Sequence, residues 1–590
     1  FAFTLAGSVL LSGIIALTLS PMMCAKLLKP HSEHGKTRLE SWLDARFDWL
    51  RTGYERRLHS ALETRGVIAV FGALVLVSCV FLYMTAPKEP APLEDEGFIF
   101  AVGSADAYTT LDYVERYTEE LEAAVKEIPE VNDFFLFNGG FGGGGGASNS
   151  AMGGFVLKPW SERDRSTNQV LQQALQPKLS SITGLNTFAL VPPSLPSAGG
   201  DGGGGEFLVL GIGSLEQLNE LSDAIVQKAM ESRRFIFLDK DLKIDKPRIE
   251  VQIDREKAAL LGIDMRTLAA DMAAMLSGGY VNRFAMENRS YRVIPQVQRS
   301  DRLNAAQLVN YYTRTRDGQL VPLSTLVTLK ETAQPQTLKR FQQLNAVGIM
   351  FAPRPGVSKG EALRVLEEAA AEVLPQGYSV DYAGESRQFK QEGAAMLVTL
   401  AFALIAIFLV LAAQFESFRD ALIMLITVPM AISGALLVLN ALALVAGVLQ
   451  FTGIEAFPGM SINIYTQVGL VTLIGVIAKH GILIVEFANK LQQQGLSKRE
   501  AIEQASGIRL RPVLMTTAAL VFAMIPLLIA NGPGAAARFS MGMVIAAGMT
   551  IGTAFTLFVL PAVYLYLARD RSRAGAAATA PDGADPAPQV

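Results

Sequence analysis

Lys479 lies where a charge is hardest to keep. It sits in the run 471–487, VTLIGVIAKHGILIVEF, and Lys490 follows eleven residues later at the polar end of the same stretch. Wound as a helix, that separation is about 16 Å, while half the hydrocarbon core of a bilayer is about 15 Å. A lysine stem cannot reach the interface over that distance, so the ammonium is placed near the midplane. An ionisable group at that depth marks an ion path or a proton relay; the structural alternative is a neutral lysine buried among helices. Such an ammonium needs a carboxylate. The only acid well inside an apolar run is Glu486, seven residues along the same helix and about 10 Å nearer the cytoplasm. Asp420 stands at a run boundary. The counter-ion is therefore expected upstream of Phe1, which opens directly into an apolar run without the basic start or cleavage site of a signal peptide. His480 points about 100° away from Lys479 around the helix and reads as a packing or hydrogen-bonding residue. Arg509 and Arg511 open the next apolar run, with Thr516 and Thr517 about two turns on. Arg511 reads as facing the inner interface, and Arg509 is free to do the same.

A second group is aromatic. Phe134, Phe135, Phe137, Phe141 and Phe155 lie in or beside a glycine-rich stretch, 139–146, that opens with Gly139 and Gly140. A phosphate-binding loop is excluded, because neither this stretch nor 199–205 ends in Gly-Lys-Ser/Thr. A pliable backbone beside several rings can re-pack around apolar ligands of different shape. The competing reading makes the rings core, since alternate positions on a strand must face inward.

The elements that position these groups follow from composition. Of 590 residues, half are hydrophobic and 18% charged, below the roughly 25% of a soluble chain, and the deficit is concentrated in long runs. A net charge of −3 gives no case for nucleic acid. Cys24 and Cys79 lie in separate apolar runs and imply neither a disulfide framework nor a metal site. Seven runs are long enough to cross a bilayer: 1–28, 67–86, 393–413, 421–449, 465–488, 513–530 and 541–567. Basic residues cluster at 29–66, at 490–511 and at Arg569, Arg571 and Arg573, which alternation places on one side, the cytoplasm. The segments 450–464 and 531–540, with only Glu455 and Arg538, and the long stretch 87–392 then lie outside. Within 38–58, Leu39, Trp42, Leu43, Phe47, Leu50 and Tyr54 recur at helical spacing. They predict a helix flat on the inner membrane surface, or a connector packed on its own protein. The tail 568–590 is expected to be disordered.

The outer stretch predicts strand 98–102, helix 110–126 and strand 131–137, then 155–157, 168–179 and 187–191 in the same order. A second copy begins with 207–210, 215–230 and 248–253, and its other half follows at 347–351, 359–372 and 378–382. This doubled βαβ pattern suggests an α+β sandwich of ferredoxin-like type, interrupted by an inserted block at 254–336.

The stretch 465–489, with its QVGL, AK and ILIVEF elements, resembles the tenth transmembrane helix of multidrug efflux pumps of the resistance–nodulation–cell division superfamily, hydrophobe/amphiphile branch. The segment RLRPVLMT at 509–516 is similar to the start of their eleventh helix, TLSP at 18–21 with Cys24-Ala25 to the end of their sixth, and PLEDEG at 92–97 to the beginning of their third porter subdomain. The resemblance covers nearly the whole chain apart from the tail. It implies helices six to twelve of a twelve-helix fold, porter subdomains at 96–200 and at 205–253 with 337–388, and a docking domain at 254–336 facing an outer-membrane channel. It further implies a homotrimer in the bacterial inner membrane, working with a periplasmic adaptor, and proton antiport with no cofactor. Lys479, Arg509 and Thr516 match the family's proton-relay positions, whose paired aspartates belong to helix four. Phe135, Phe141 and Phe155 fall near its drug-pocket and switch-loop aromatics, although glycine fills much of the loop here. Among other readings, metal-ion export is disfavoured by scattered methionines. A sterol- or lipid-sensing receptor is disfavoured by the inserted block, and an enzyme by the lack of a Ser/His/Asp set or metal-ligand spacing.

Overall fold

The computed structural model describes residues 2–27, 38–139, 148–194, 205–276, 279–354, 357–451 and 460–571. From the N-terminus, α1 (Ala2–Leu27) is followed by the amphipathic α2 (Arg38–Glu63) and the apolar α3 (Arg65–Thr85). The two readings of α2 divide along its length. Tyr54, Leu58 and Leu62 are buried against the bundle, and Tyr54 Oη donates to the Leu557 carbonyl at 2.7 Å. Trp42, Leu43, Trp49 and Leu50 remain exposed.

The outer region begins with β1 (Phe98–Ser104), α4 (Leu111–Lys126), β2 (Val131–Asn138) and β3 (Ser150–Leu157). The predicted helix 168–179 is interrupted: α5 (Thr167–Val170) passes through a π turn, Leu171–Leu175, into α6 (Gln176–Ser180). Pro177 lies in the first turn of α6 and brings no N–H to the ladder. With β4 (Asn186–Leu190) the strands form one antiparallel sheet, ordered β2-β3-β1-β4. Helix α4 buries Val114, Thr118, Leu121 and Val125, one stripe at 4-3-4 spacing.

A second sheet starts with β5 (Gly205–Gly211), α7 (Leu215–Glu231), whose buried stripe repeats the 4-3-4 spacing, and β6 (Phe235–Lys240). The predicted strand 248–253 does not belong here. As β7 (Lys246–Ile253) it pairs in a separate ribbon with β12 (Val327–Gln334), and β6, absent from the predicted elements, takes its place beside β14 (Leu344–Pro353). The motif FIFLDK of β6 alternates less cleanly than the longer 246–253 run, so periodicity favoured the wrong segment. The ribbon leads to α8 (Arg255–Leu260), α9 (Met265–Met275), the exposed hairpin β8 (Asn282–Met286)–β9 (Arg289–Val293) and the hairpin β10 (Tyr312–Arg314)–β11 (Leu320–Pro322); the ribbon, α8, α9 and β11 share a core that includes Leu268, Leu308, Leu323 and Leu326. The chain returns as β13 (Lys339–Phe341), β14 (Leu344–Pro353), α10 (Lys359–Val373) and β15 (Tyr378–Ala383), completing the order β13-β14-β5-β15.

Strand β15 runs directly into α11 (Gly384–Phe415). Then come α12 (Phe418–Leu425), α13 (Thr427–Phe451), α14 (Ile464–Gln493), α15 (Lys498–Leu528) and α16 (Ala535–Leu567). One apolar span breaks between α12 and α13, with Pro429 in the first turn of the new helix, where a missing N–H is tolerated. The described residues contain seven helical spans long and apolar enough to cross a membrane. Their distribution is uneven: α1 is exposed along Ala6–Leu27, and α15 turns Met515, Phe522 and Ile525 outward, while α16 is central, packed on α13, α14 and α15. Helices approach closely there because a Cβ on Gly552 would stand 2.6 Å from the Ala431 Cα.

Candidate functional site

Lys479 and His480 are consecutive on α14 and occupy opposite environments. The Lys479 side chain stands on an exposed face, one turn from Gly475, around which nothing lies within 4 Å of an added Cβ. No carboxylate pairs with it among the described residues. Glu486, the acid nearest in sequence, is taken by Lys490 at 2.7 Å. His480 is buried, and its ring joins three helices: Nε2 lies 3.3 Å from Thr516 Oγ1 on α15, and Nδ1 lies 3.3 Å from Thr553 Oγ1 on α16. Thr553 also meets Thr517 at 3.1 Å, and both α15 threonines donate to the Val513 carbonyl at 2.9 Å. A buried imidazole with a threonine hydroxyl beside each ring nitrogen is a polar core with partners on both sides.

The structure therefore brings Thr516 to the ring beside Lys479 and leaves Arg509 elsewhere. The Arg509 guanidinium lies 4.5 Å from the Phe487 ring centroid, a cation–π contact, and its Nε is buried without a hydrogen-bond partner among the described residues. Phe487 is eight residues from Lys479, about 12 Å along the helix. Arg511 is exposed, 3.2 Å from Asp44 and over the Phe47 ring of α2.

Asp420, left at a run boundary by the sequence, is buried in a network of its own. It accepts from Asn489 at 3.1 Å and from Arg571 at 2.7 Å. Tyr564 donates to Asn489 at 2.7 Å, and Gln492 joins Tyr564 at 2.6 Å and the Arg571 amide at 2.9 Å. This network closes one end of α12, α14 and α16. A lone acid beside a long apolar run was the only signal for it.

The aromatic group separates by strand parity. Phe135 and Phe137 lie 41% and 47% exposed on the helix-free face of the first sheet, with their rings 5.4 Å apart. Phe155 is fully buried on the opposite face, packed with Ile99, Leu121 and Leu175. Its expected place among the pocket aromatics is corrected to core, because it pairs with Ile99 and Phe134, one residue out of phase with Phe135. Phe141 and Gly140 lie outside the described residues; Gly139 ends β2 at φ +80°. Register aligns two apolar rows across four strands: Phe135, Gly154, Phe100 and Leu190, and beside them Phe137, Met152, Val102 and Phe188. Phe98 and Phe135 lie over Gly154, where a Cβ would come within 2.5 Å of the Phe135 ring. At the sheet edge Phe188 stacks on Phe237 of β6, centroids 4.9 Å apart, so the two sheets meet through aromatic faces. Sequence reasoning missed Phe98, Phe100, Phe188 and Gly154. The period-two pattern of β1 carries the signal for Phe98 and Phe100, while Gly154 and Phe188 reach the same face only through strand register.

Among the described residues, seven spans, two antiparallel α/β sheets outside the apolar helices and a lysine without a carboxylate partner in the fifth span fit a polytopic membrane transporter of the resistance–nodulation–cell division class. The AcrB/AcrD/AcrF family model matches residues 1–568, and the chain belongs to that family. It is 40% identical over 572 residues to an uncharacterized transporter of Haemophilus influenzae, covering 97% of this chain and 54% of that protein. It is 31% identical over 574 residues to the multidrug/solvent efflux pump membrane transporter MepB of Pseudomonas putida, covering 96% and 53%. To the multidrug export protein AcrF of Escherichia coli it is 27% identical over 580 residues, covering 96% and 54%. The chain thus spans about half the length of the curated relatives it matches.

Proposed function

We propose that this chain is the C-terminal half of a proton-driven antiporter that exports amphiphilic compounds toward an outer-membrane channel. The observation that carries the reading is Lys479, without a carboxylate among the described residues, on an open face of the bundle beside the buried His480–Thr516–Thr553 network. Carboxylates from a segment outside this chain pair with that ammonium. Their protonation breaks the pairing, and α14 shifts against its neighbours. Thr516 takes part through His480, and Arg509 holds the cytoplasmic end of α14 through Phe487.

The sheets serve as porter subdomains, 96–200 for the first and 205–245 with 337–388 for the second, while the β7–β12 ribbon goes with the docking domain, 246–336. The substrate surface is the aromatic face carrying Phe135 and Phe137, with Gly139, Gly140 and Phe141 following directly in sequence. A wide apolar face offering few polar groups suits amphiphiles of differing shape, in keeping with a multidrug/solvent pump among the relatives. The assembled pump is a homotrimer in the inner membrane, acting with a periplasmic adaptor. Replacing Lys479 by Met in the full-length protein is expected to abolish dye efflux and leave assembly intact. Undiminished efflux would overturn the relay.

A further inference from the structure

Helix α16 lacks a cap of its own. Its N-cap position is Gly534, at φ 73°, and its first turn carries no acid. Helices α14 and α15 beside it begin with complete capping boxes at Asn463 and Ser497. The free amides at the start of α16 are met instead by Glu94, a residue more than four hundred positions earlier. Glu94 Oε2 accepts from the Ala536 amide at 3.1 Å and Oε1 from the Ala537 amide at 2.7 Å, and the side chain is buried. A carboxylate in this position also meets the positive end of the helix dipole.

The next residue grips the first sheet. The Asp95 carboxylate is held by the buried Arg163 guanidinium and by the Thr167 hydroxyl, and its carbonyl accepts from Trp160 Nε1 at 2.9 Å. Thr167 in turn accepts from the Gly97 amide at 3.2 Å, just before β1. Trp160 also packs on the loop that precedes α16, 3.5 Å from the Cβ position of Gly532. Two adjacent carboxylates therefore join a membrane helix to an outer sheet. In the middle of the same helix, Thr553 lies within hydrogen-bond distance of His480. Seventeen residues separate Ala536 from Thr553, about 26 Å of continuous helix.

We infer that Glu94 is the positioning residue through which axial movement of α16 reaches the first sheet, with Asp95 as its anchor. The inference rests on the proton-driven reading above. A shift at the Lys479–His480 level moves α16 through Thr553. Glu94 follows the helix N-terminus, and Asp95–Arg163 carries the displacement to β1 and the aromatic face.

The test uses the full-length transporter, with ethidium as the substrate probe. Glu94→Ala removes the link from the sheet side. Ala537→Pro removes the shorter of the two amide donors from the helix side, at a first-turn position where proline is tolerated. It keeps the question answerable if Glu94→Ala does not assemble. Each single variant is expected to lower the maximal rate of gradient-driven ethidium export about tenfold with an unchanged Kd for ethidium, and the double variant to be no slower than either, as for two halves of one contact. Normal export in an assembled single variant, or an effect confined to Kd, overturns the inference. So does a double variant whose losses multiply. Lys479→Met assayed alongside separates the two ideas: if it retains export, the proton-driven reading fails. If it loses export while Glu94→Ala keeps it, only the coupling role of Glu94 fails.

Discussion

At the scale of single residues, 100° of helical rotation separates a charge facing outward from a ring fully enclosed. Lys479 keeps an open side because nothing among the described residues offers it an anion, whereas His480 spends both nitrogens on threonines of neighbouring helices. Outside the apolar spans, the junction where α3 leads into the outer region holds another titratable group. Ser461 donates to Glu89, and the Glu89 amide donates to the Ile462 carbonyl at 3.2 Å. Burial raises the Glu89 carboxyl above the usual range, opposed by the Ser461 hydrogen bond and the Lys359 charge. With the folded value above the unfolded one, its contribution to stability is full below the unfolded value of about 4.3. That contribution is lost as pH rises through the folded value. Glu89→Gln stays neutral and keeps an acceptor for Ser461. Thermal unfolding between pH 4 and pH 8, on the order of the range where carboxyls titrate, should show the wild type losing stability relative to this variant as pH increases. Parallel curves would contradict the assignment.

At the scale of elements, register decides which side chains are available. In the first sheet a single-residue offset sends Phe155 into the core and leaves Phe135 and Phe137 on the open face. Gly154 makes the aromatic shelf possible, since any side chain there would occupy the space of the Phe135 and Phe98 rings, whose atoms lie 2.5 and 2.7 Å from the Cβ position. Gly154→Val should displace both rings, cost about 1–3 kcal/mol through overpacking, and weaken dye binding. A melting temperature and dye affinity equal to wild type would show that the rings move aside freely. Helix α2 teaches the same lesson in another form. Its helical spacing was evident, but which part packs on protein depends on α15 and α16 lying above it: Tyr54, Leu58 and Leu62 find partners there, and Trp42 and Trp49 do not.

At the scale of the whole molecule, α16 is the axis. It carries the His480 network in its middle and Glu94 at one end, and Tyr564 in the Asp420–Arg571 network at the other. Its 33 residues span about 50 Å, enough to set its two ends on opposite sides of a bilayer. In a cysteine-free background, Arg538→Cys should react with an impermeant maleimide added to the outside of spheroplasts, and Arg569→Cys only after permeabilisation. The reverse pattern would invert the topology argued from the basic loops.

The sequence alone determined the number of spans, which depends on length and hydropathy, and these are local and additive along a chain. It also determined the strand–helix order at 98–137, because each element there carries its own period. It could not determine that β6 rather than β7 completes the second sheet. Nor could it pair Glu94 with Ala536 and Ala537, join His480 to Thr553, or gather Asp420, Asn489, Tyr564 and Arg571 into one cluster. Those contacts join segments tens to hundreds of residues apart. A hydrogen bond at 3 Å leaves no periodic mark on either partner, so only the packed helices and paired strands decide it.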